Sequence, residues 1–196
     1  MTVELADRVD MADDEAEELT LDALFEQLLP VPEGYKVEIV EGTVHMSPQR
    51  RIHWKIISRV HLQLVEHFGD DESIDSDVRF DFPGHLNGFA PDLTKVREGA
   101  ETDAKGRLAP EDLEFVLEVI SKGTGVNDYG VKLRAYAAAE VPVYLIADPY
   151  VGRCHLYTHP KDGAYRTELI ADFGEPIDLT QTDLGLVLET DRFPRE

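Results

Sequence analysis

Residues 113–120, LEFVLEVI, constrain this chain more than any other stretch. A near-continuous apolar run with β-branched residues reads as a strand covered on both faces, and such a strand needs a layer of structure on each side. Phe115, Leu117 and Val119 share one face; Glu114, Val116, Glu118 and Ile120 share the other. Glu118 is the anomaly. A carboxylate buried in a central strand costs several kcal/mol unless it is protonated, ion-paired or bound to a cation. A structural ion pair meets that requirement, and so does a metal or catalytic site.

The flanking pattern supplies the layers. Thr20 can cap a short helix whose apolar stripe is Leu21, Leu24, Phe25, Leu28 and Leu29, closed by Pro30 and Pro32. YKVEIVEGTVHMSP alternates Tyr35, Val37 and Ile39 with Lys36, Glu38 and Val40, and Glu41-Gly42 turns it into a β-hairpin. Residues 50–68 form the longest helix, with Ile52, Ile56, Val60, Leu64 and Phe68 as its seam and Trp54, Ile57 and His61 widening the buried face. Strands are predicted over 76–82 and 89–96, a polar loop over 97–112, a helix from Asn127 to about Glu140, and strands over 142–147, 153–158 and 164–170. This order predicts an α/β fold with a mixed β-sheet flanked by helices, not a doubly wound sheet with regular alternation. The 196 residues suit one domain, placed over 20–193. Residues 1–19, with eight acids against Arg8, read as an acidic mobile tail.

Charge limits the partners. Lys and Arg number 19 against 40 Asp and Glu, a net of −21, and the tail accounts for only −7 of it. Such a chain repels polyanions at long range, so contact with nucleic acid requires a local basic patch or a metal ion. Arg51, Lys55 and Arg59, spaced i, i+4, i+8 on the long helix, form the one basic face, suited to gripping a few phosphates or simply to solvation. The single cysteine, Cys154, has no intrachain partner and is expected to pack. No apolar run is long enough to cross a bilayer and no signal-peptide pattern opens the chain, so a soluble cytoplasmic protein without membrane contact is the expectation.

Two further residues can join Glu118. Asp92, in APDL near a strand start, would form an oxygen-rich pair with Glu118 if their strands are neighbours; Pro-Asp is also a common turn pair. Lys132 follows by distance. Glu118 lies two residues from its strand's end, roughly 7 Å, and Lys132 lies five residues into the next helix, roughly 7.5 Å, so the two reach similar depth if the helix runs back along the strand. An i, i+4 pair with Asp128 on a solvated face is the other reading of Lys132. Zinc is disfavoured because His53, His61 and His67 lack ligand spacing and there is no cysteine pair. SKGTGVNDYGVK fails both phosphate-loop patterns, at Asp128 for one and at Val131 for the other.

Taken in order, YKVEIVEGTVHMSP, HWKIISRV, APDL, LEVIS, the Asp128–Lys132 segment and YAAAEVPVYLIADP resemble the bacterial restriction-endonuclease group once classed as a domain of unknown function, within the PD-(D/E)XK nuclease superfamily. The resemblance covers residues 20–193. It implies a restriction-endonuclease-like fold and a Mg²⁺- or Mn²⁺-dependent endodeoxyribonuclease that hydrolyses DNA phosphodiester bonds. The motif's Pro-Asp falls on Pro91-Asp92 and its second acid on Glu118, the pair that would hold the metal. The superfamily lysine, normally two residues later, is Ile120 here, and Lys132 on the following helix takes its place in the resemblance, with Lys122 a weaker substitute. Glu38 matches an acidic position near the metal, although the hairpin motif carries inserted residues, and an exposed strand glutamate paired across the hairpin is the alternative. The basic stripe would contact DNA, and a homodimer would suit cutting both strands. Two other functions stay open: a nuclease-fold interaction protein without catalysis, favoured by the net charge and Ile120, and a metal-dependent phosphohydrolase acting on single-stranded or small substrates.

Overall fold

The structure, a computed structural model, describes residues 19–48, 50–69, 73–123 and 125–196. The acidic tail expected over 1–19 lies, Leu19 apart, outside the described residues. In chain order the elements are α1 (Leu21–Gln27), β1 (Tyr35–Val40), β2 (Thr43–Pro48), α2 (Arg51–Phe68), β3 (Ile74–Asp75), β4 (Phe80–Phe82), β5 (Asn87–Phe89), β6 (Leu93–Val96) and β7 (Leu113–Val119). There follow α3 (Gly125–Asn127), a π-helical turn at Asp128–Lys132, α4 (Leu133–Ala138), β8 (Val143–Asp148), β9 (Arg153–Lys161), β10 (Ala164–Asp172), β11 (Ile177–Asp178) and β12 (Val187–Leu188).

The local signals act as their chemistry requires. Thr20 accepts a hydrogen bond from the Ala23 N–H at 3.2 Å and caps α1. Glu41 and Gly42, with φ of 48° and 75°, give the two positive values that a two-residue turn matching the strand twist needs. β1 and β2 pair antiparallel through it, from Val40↔Thr43 to Tyr35↔Pro48.

The strands divide into a six-stranded sheet, ordered β10-β9-β8-β7-β6-β3, a four-stranded sheet, ordered β2-β1-β5-β4, and the pair β11-β12. In the six-stranded sheet β7 and β8 run parallel, joined by the α3–α4 crossover, while the other pairs are antiparallel. The mixed sheet expected from the sequence is therefore present, and the hairpin belongs to a second sheet beside it. The strand predicted over 89–96 is really two, β5 in one sheet and β6 in the other. The chain changes sheet at Ala90-Pro91-Asp92, where Pro91 has no N–H to offer a ladder. Strand structure predicted over 76–82 shrinks to Phe80–Phe82.

Both faces of β7 are covered. Phe115, Leu117 and Val119 pack with Ile56, Val60 and Leu64 of α2 and with Leu179, Leu184 and Leu188 near the C-terminus. Val116 and Ile120 pack with Tyr136 of α4, Tyr144 of β8 and Phe80, Phe82 and Phe89 of the second sheet. At about 1.5–3 kcal/mol for each fully buried large apolar side chain, these two clusters fix β7 and whatever it carries. Cys154 is buried in the first cluster, and burial pushes its thiol up to about 12. Trp54 departs from expectation. It is 64% exposed, because α2 buries the seam His53, Ile56, Ile57, Val60 and Leu64 and turns Trp54 outward.

Candidate functional site

The two sheets meet where the chain crosses between them, and a cluster of buried charged residues gathers at that seam. Asp92 lies one step beyond the Leu93↔Leu117 pair, opposite Glu118. Its Oδ2 accepts the Val119 N–H at 2.7 Å, which ties the crossing to β7. Glu38 arrives from β1 of the other sheet and accepts the Ala90 N–H at 3.0 Å. Lys132 arrives from the π-helical turn and donates to both Glu38 oxygens and to Glu118 Oε1, each at 2.9 Å. The Tyr136 hydroxyl, one helical turn on, donates to the same Glu118 oxygen at 2.6 Å.

The sequence-predicted residues Asp92, Glu118, Lys132 and Glu38 are thus brought together, all buried. Lys132 does pair with Asp128, at 3.2 Å, but on a buried face and not a solvated one. Glu38 is not an exposed cross-strand residue. Arg51, Lys55 and Arg59 are not among the residues that line the adjoining cavity of about 310 Å³; from this part of the chain the cavity takes Arg50, His53, Trp54 and Ile57.

Charge explains the remaining properties. Four buried carboxylates, Glu38, Asp92, Glu118 and Asp128, share the buried ammonium of Lys132 and that of Lys36, which is partly exposed. Burial acts to raise Asp92 and Glu38, yet both end below their ordinary values, because Lys36 and the Val119 N–H stabilise the first and Lys132, Lys36 and the Ala90 N–H the second. For Glu118 burial wins and pushes it up to about 8, against the pull of Lys132 and Lys36 and with help from Glu38 and Asp128. Asp128 is raised by burial to about 6.

These shifts set a pH dependence. Between its ordinary value of 4.5 and about 8, Glu118 holds a proton in the folded chain that the unfolded chain has lost, so its contribution is full below 4.5 and disappears as pH rises through about 8. Asp128 acts in the same direction up to about 6, whereas Asp92 and Glu38 contribute above the ordinary carboxylate range and lose that contribution on acidification. The metal-free chain should therefore lose thermal stability from about pH 5 to 8, and Glu118→Gln should flatten that fall. A wild-type melting temperature that is level or rising across the interval would contradict this account.

Asp92 Oδ1 and Glu118 Oε2 also face one common cation, the Lys36 ammonium, at 2.6 and 3.8 Å. Two hard oxygen donors converging on one positive centre at a cavity wall fit a Mg²⁺ or Mn²⁺ ion, which takes one or two carboxylates and completes its shell with water and substrate oxygens. Among the described residues no three His, Cys, Asp or Glu side chains form a group that could hold a metal ion.

The family model named Uma2, described as "Putative restriction endonuclease", matches residues 22–191. The chain belongs to this family. Among solved structures, one described as "a putative nuclease belonging to DUF820" from Anabaena variabilis superposes with a TM-score of 0.65 at 16% identity, covering 89% of this chain and 97% of that one. At that identity the likeness concerns the fold, which is the restriction-endonuclease-like α/β arrangement. No curated protein matches the chain.

Within this cluster and its cavity, sequence reasoning missed four residues. Lys36 shares the β1 face of Glu38 two residues on, and Tyr136 follows Lys132 by four, so spacing signals both. His53 falls on the buried seam of α2 and lines the cavity. Burial is the first cause holding its imidazole below the ordinary value; a hydrogen bond to the Ile120 backbone works the other way, and Nε2 has no partner among the described residues. Trp54, taken for core, borders the cavity instead.

Proposed function

We propose that the protein is a divalent-metal-dependent endonuclease that hydrolyses DNA phosphodiester bonds. The observation that carries this reading is the pairing of Asp92 with Glu118 at a cavity wall, backed by a buried lysine on the next helix. Asp92 and Glu118 would hold Mg²⁺ or Mn²⁺. Bound there, the ion would polarise a phosphate and acidify a water for in-line attack.

The chain's own groups have separable tasks. Lys132 aims N–H groups at Glu38, Glu118 and Asp128, so it fixes the orientation of Glu118 and adds a positive charge beside the developing negative phosphate. In this role it stands in for the lysine that Ile120 replaces. Glu38, anchored by the Ala90 N–H, orients Lys132. Arg50 at the cavity and the Arg51, Lys55 and Arg59 stripe would bring phosphates in, and a two-fold dimer would present two such sites to the two strands.

One observation favours a second substrate form. Trp54, exposed beside the cavity, offers a face for an unpaired base, a contact that contributes about 1–3 kcal/mol in single-strand binders. A net charge of −21 also opposes a duplex more than a short single strand. Both substrates belong in one test, in which supercoiled plasmid and a single-stranded oligonucleotide are incubated with the full chain and Mn²⁺, Mg²⁺ or a chelator. Plasmid nicking with either ion, abolished by chelator, is the expected result. Cleavage confined to the oligonucleotide, with quenching of the fluorescence of Trp54, the chain's one tryptophan, would select the second form. No cleavage of either substrate with either ion would overturn the nuclease reading.

A further inference from the structure

The site already holds a positive charge at the position where the proposed reaction needs another. Lys36 Nζ lies 2.6 Å from Asp92 Oδ1 and 3.8 Å from Glu118 Oε2, with Asp77 Oδ1 also at 3.8 Å. An ammonium and a divalent ion recruit the same carboxylate oxygens, and two positive centres within a few ångströms repel strongly in a part-buried site. They cannot share these two ligands at full strength.

The two lysines of the site are placed differently. Both line the cavity, but Lys132 is only 3% exposed and has three carboxylates within 3.2 Å. Lys36 lines the cavity with its side chain 12% exposed, and its flexible stem lets the charged head move by rotation alone. Glu38, two residues along the same strand, keeps its own anchors at Ala90 and Lys132 whatever Lys36 does. We propose that Lys36 is a tethered counter-ion that fills the Asp92–Glu118 site in the metal-free protein and is displaced when a divalent ion enters, so that it sets the metal concentration at which the site fills. The proposal rests on Asp92 and Glu118 being the metal ligands. It gives the cation pair a second task, which is to keep two buried carboxylates compensated until the ion arrives.

The test measures binding, with no substrate present. Mn²⁺ is titrated by calorimetry into full-length wild type, Lys36→Met and Lys36→Gln, and each protein is melted with and without the ion. The glutamine variant keeps a donor for Asp92 without a charge, and it serves if the methionine variant does not fold. Removing the competing charge should tighten Mn²⁺ binding by about tenfold or more, with a larger Mn²⁺-induced rise in melting temperature than in wild type. Equal or weaker binding by the folded variant would overturn the role of Lys36 and leave the metal site standing. No binding by wild type or variant would overturn both.

Discussion

Lys132→Met should lower folding stability at pH 8 by roughly 3–5 kcal/mol, the usual effect of removing one partner from a buried ion pair. That is a large part of the roughly 5–15 kcal/mol by which a domain is stable. The variant leaves Glu38, Glu118 and Asp128 around an uncharged side chain, with only Lys36 nearby. Its deficit should be smaller at pH 5, because Glu118 and Asp128 already favour their protonated forms, up to about 8 and about 6. For a chain of this size each kcal/mol moves the melting temperature by roughly 2–4 °C, so a fall on the order of 10 °C is expected at pH 8. Under conditions where the variant stays folded, plasmid cleavage should drop at least a hundredfold, in line with the several kcal/mol at stake when a charge-stabilising group is lost. Urea melts at the two pH values, with cleavage assayed on the same preparations, measure both effects. A variant as stable as wild type at pH 8 would mean that the Lys132 contacts do not hold the cluster together.

Asp92→Asn and Glu118→Gln should each weaken Mn²⁺ binding by at least about a hundredfold, since loss of even an outer partner of a metal ligand commonly costs 10–100-fold. Both should abolish cleavage. Their stabilities should move in opposite directions, however. Asp92→Asn takes the close anionic partner from Lys36 and should destabilise the metal-free chain. Glu118→Gln removes a carboxyl that burial already pushes up to about 8, so at pH 8 the variant should be as stable as wild type or more so. A shared loss of metal and activity with opposite stability changes cannot arise from unfolding. Either variant retaining wild-type Mn²⁺ affinity would remove that residue from the metal site.

What the sequence made legible follows from what periodicity records. The apolar run at 113–120 announced a strand covered on both faces, and β7 carries one cluster on each. Rise per residue placed Lys132 at the depth of Glu118, and the two are 2.9 Å apart. Periodicity does not say which element covers a face. Lys36 occupies what looks like the solvent side of a hairpin strand, and only the abutting six-stranded sheet and the crossing at Pro91 turn that side inward. Trp54 is the converse case: its spacing to Ile57 and His61 suggested a broad apolar stripe, yet the sheet beneath α2 takes up only the narrower seam. The π-helical turn had no signature, because one extra residue in a turn changes no residue type.

That turn has a consequence for how the chain can vary. Asp128–Lys132 is wound wider than the α-helix that follows it, and the Tyr144 hydroxyl, donating to the Asp128 carbonyl at 3.0 Å, fastens it from β8. Replacing Gly130, whose side-chain position has nothing within 4 Å, leaves the residue count intact. Deleting it would take out the extra residue that widens the turn and leave an ordinary α-helical turn, so the residues on either side would rotate by far less than the roughly 100° that a deletion from a regular α-helix brings. The chain between these two strands therefore has room to vary in length as well as in the identity of its residues.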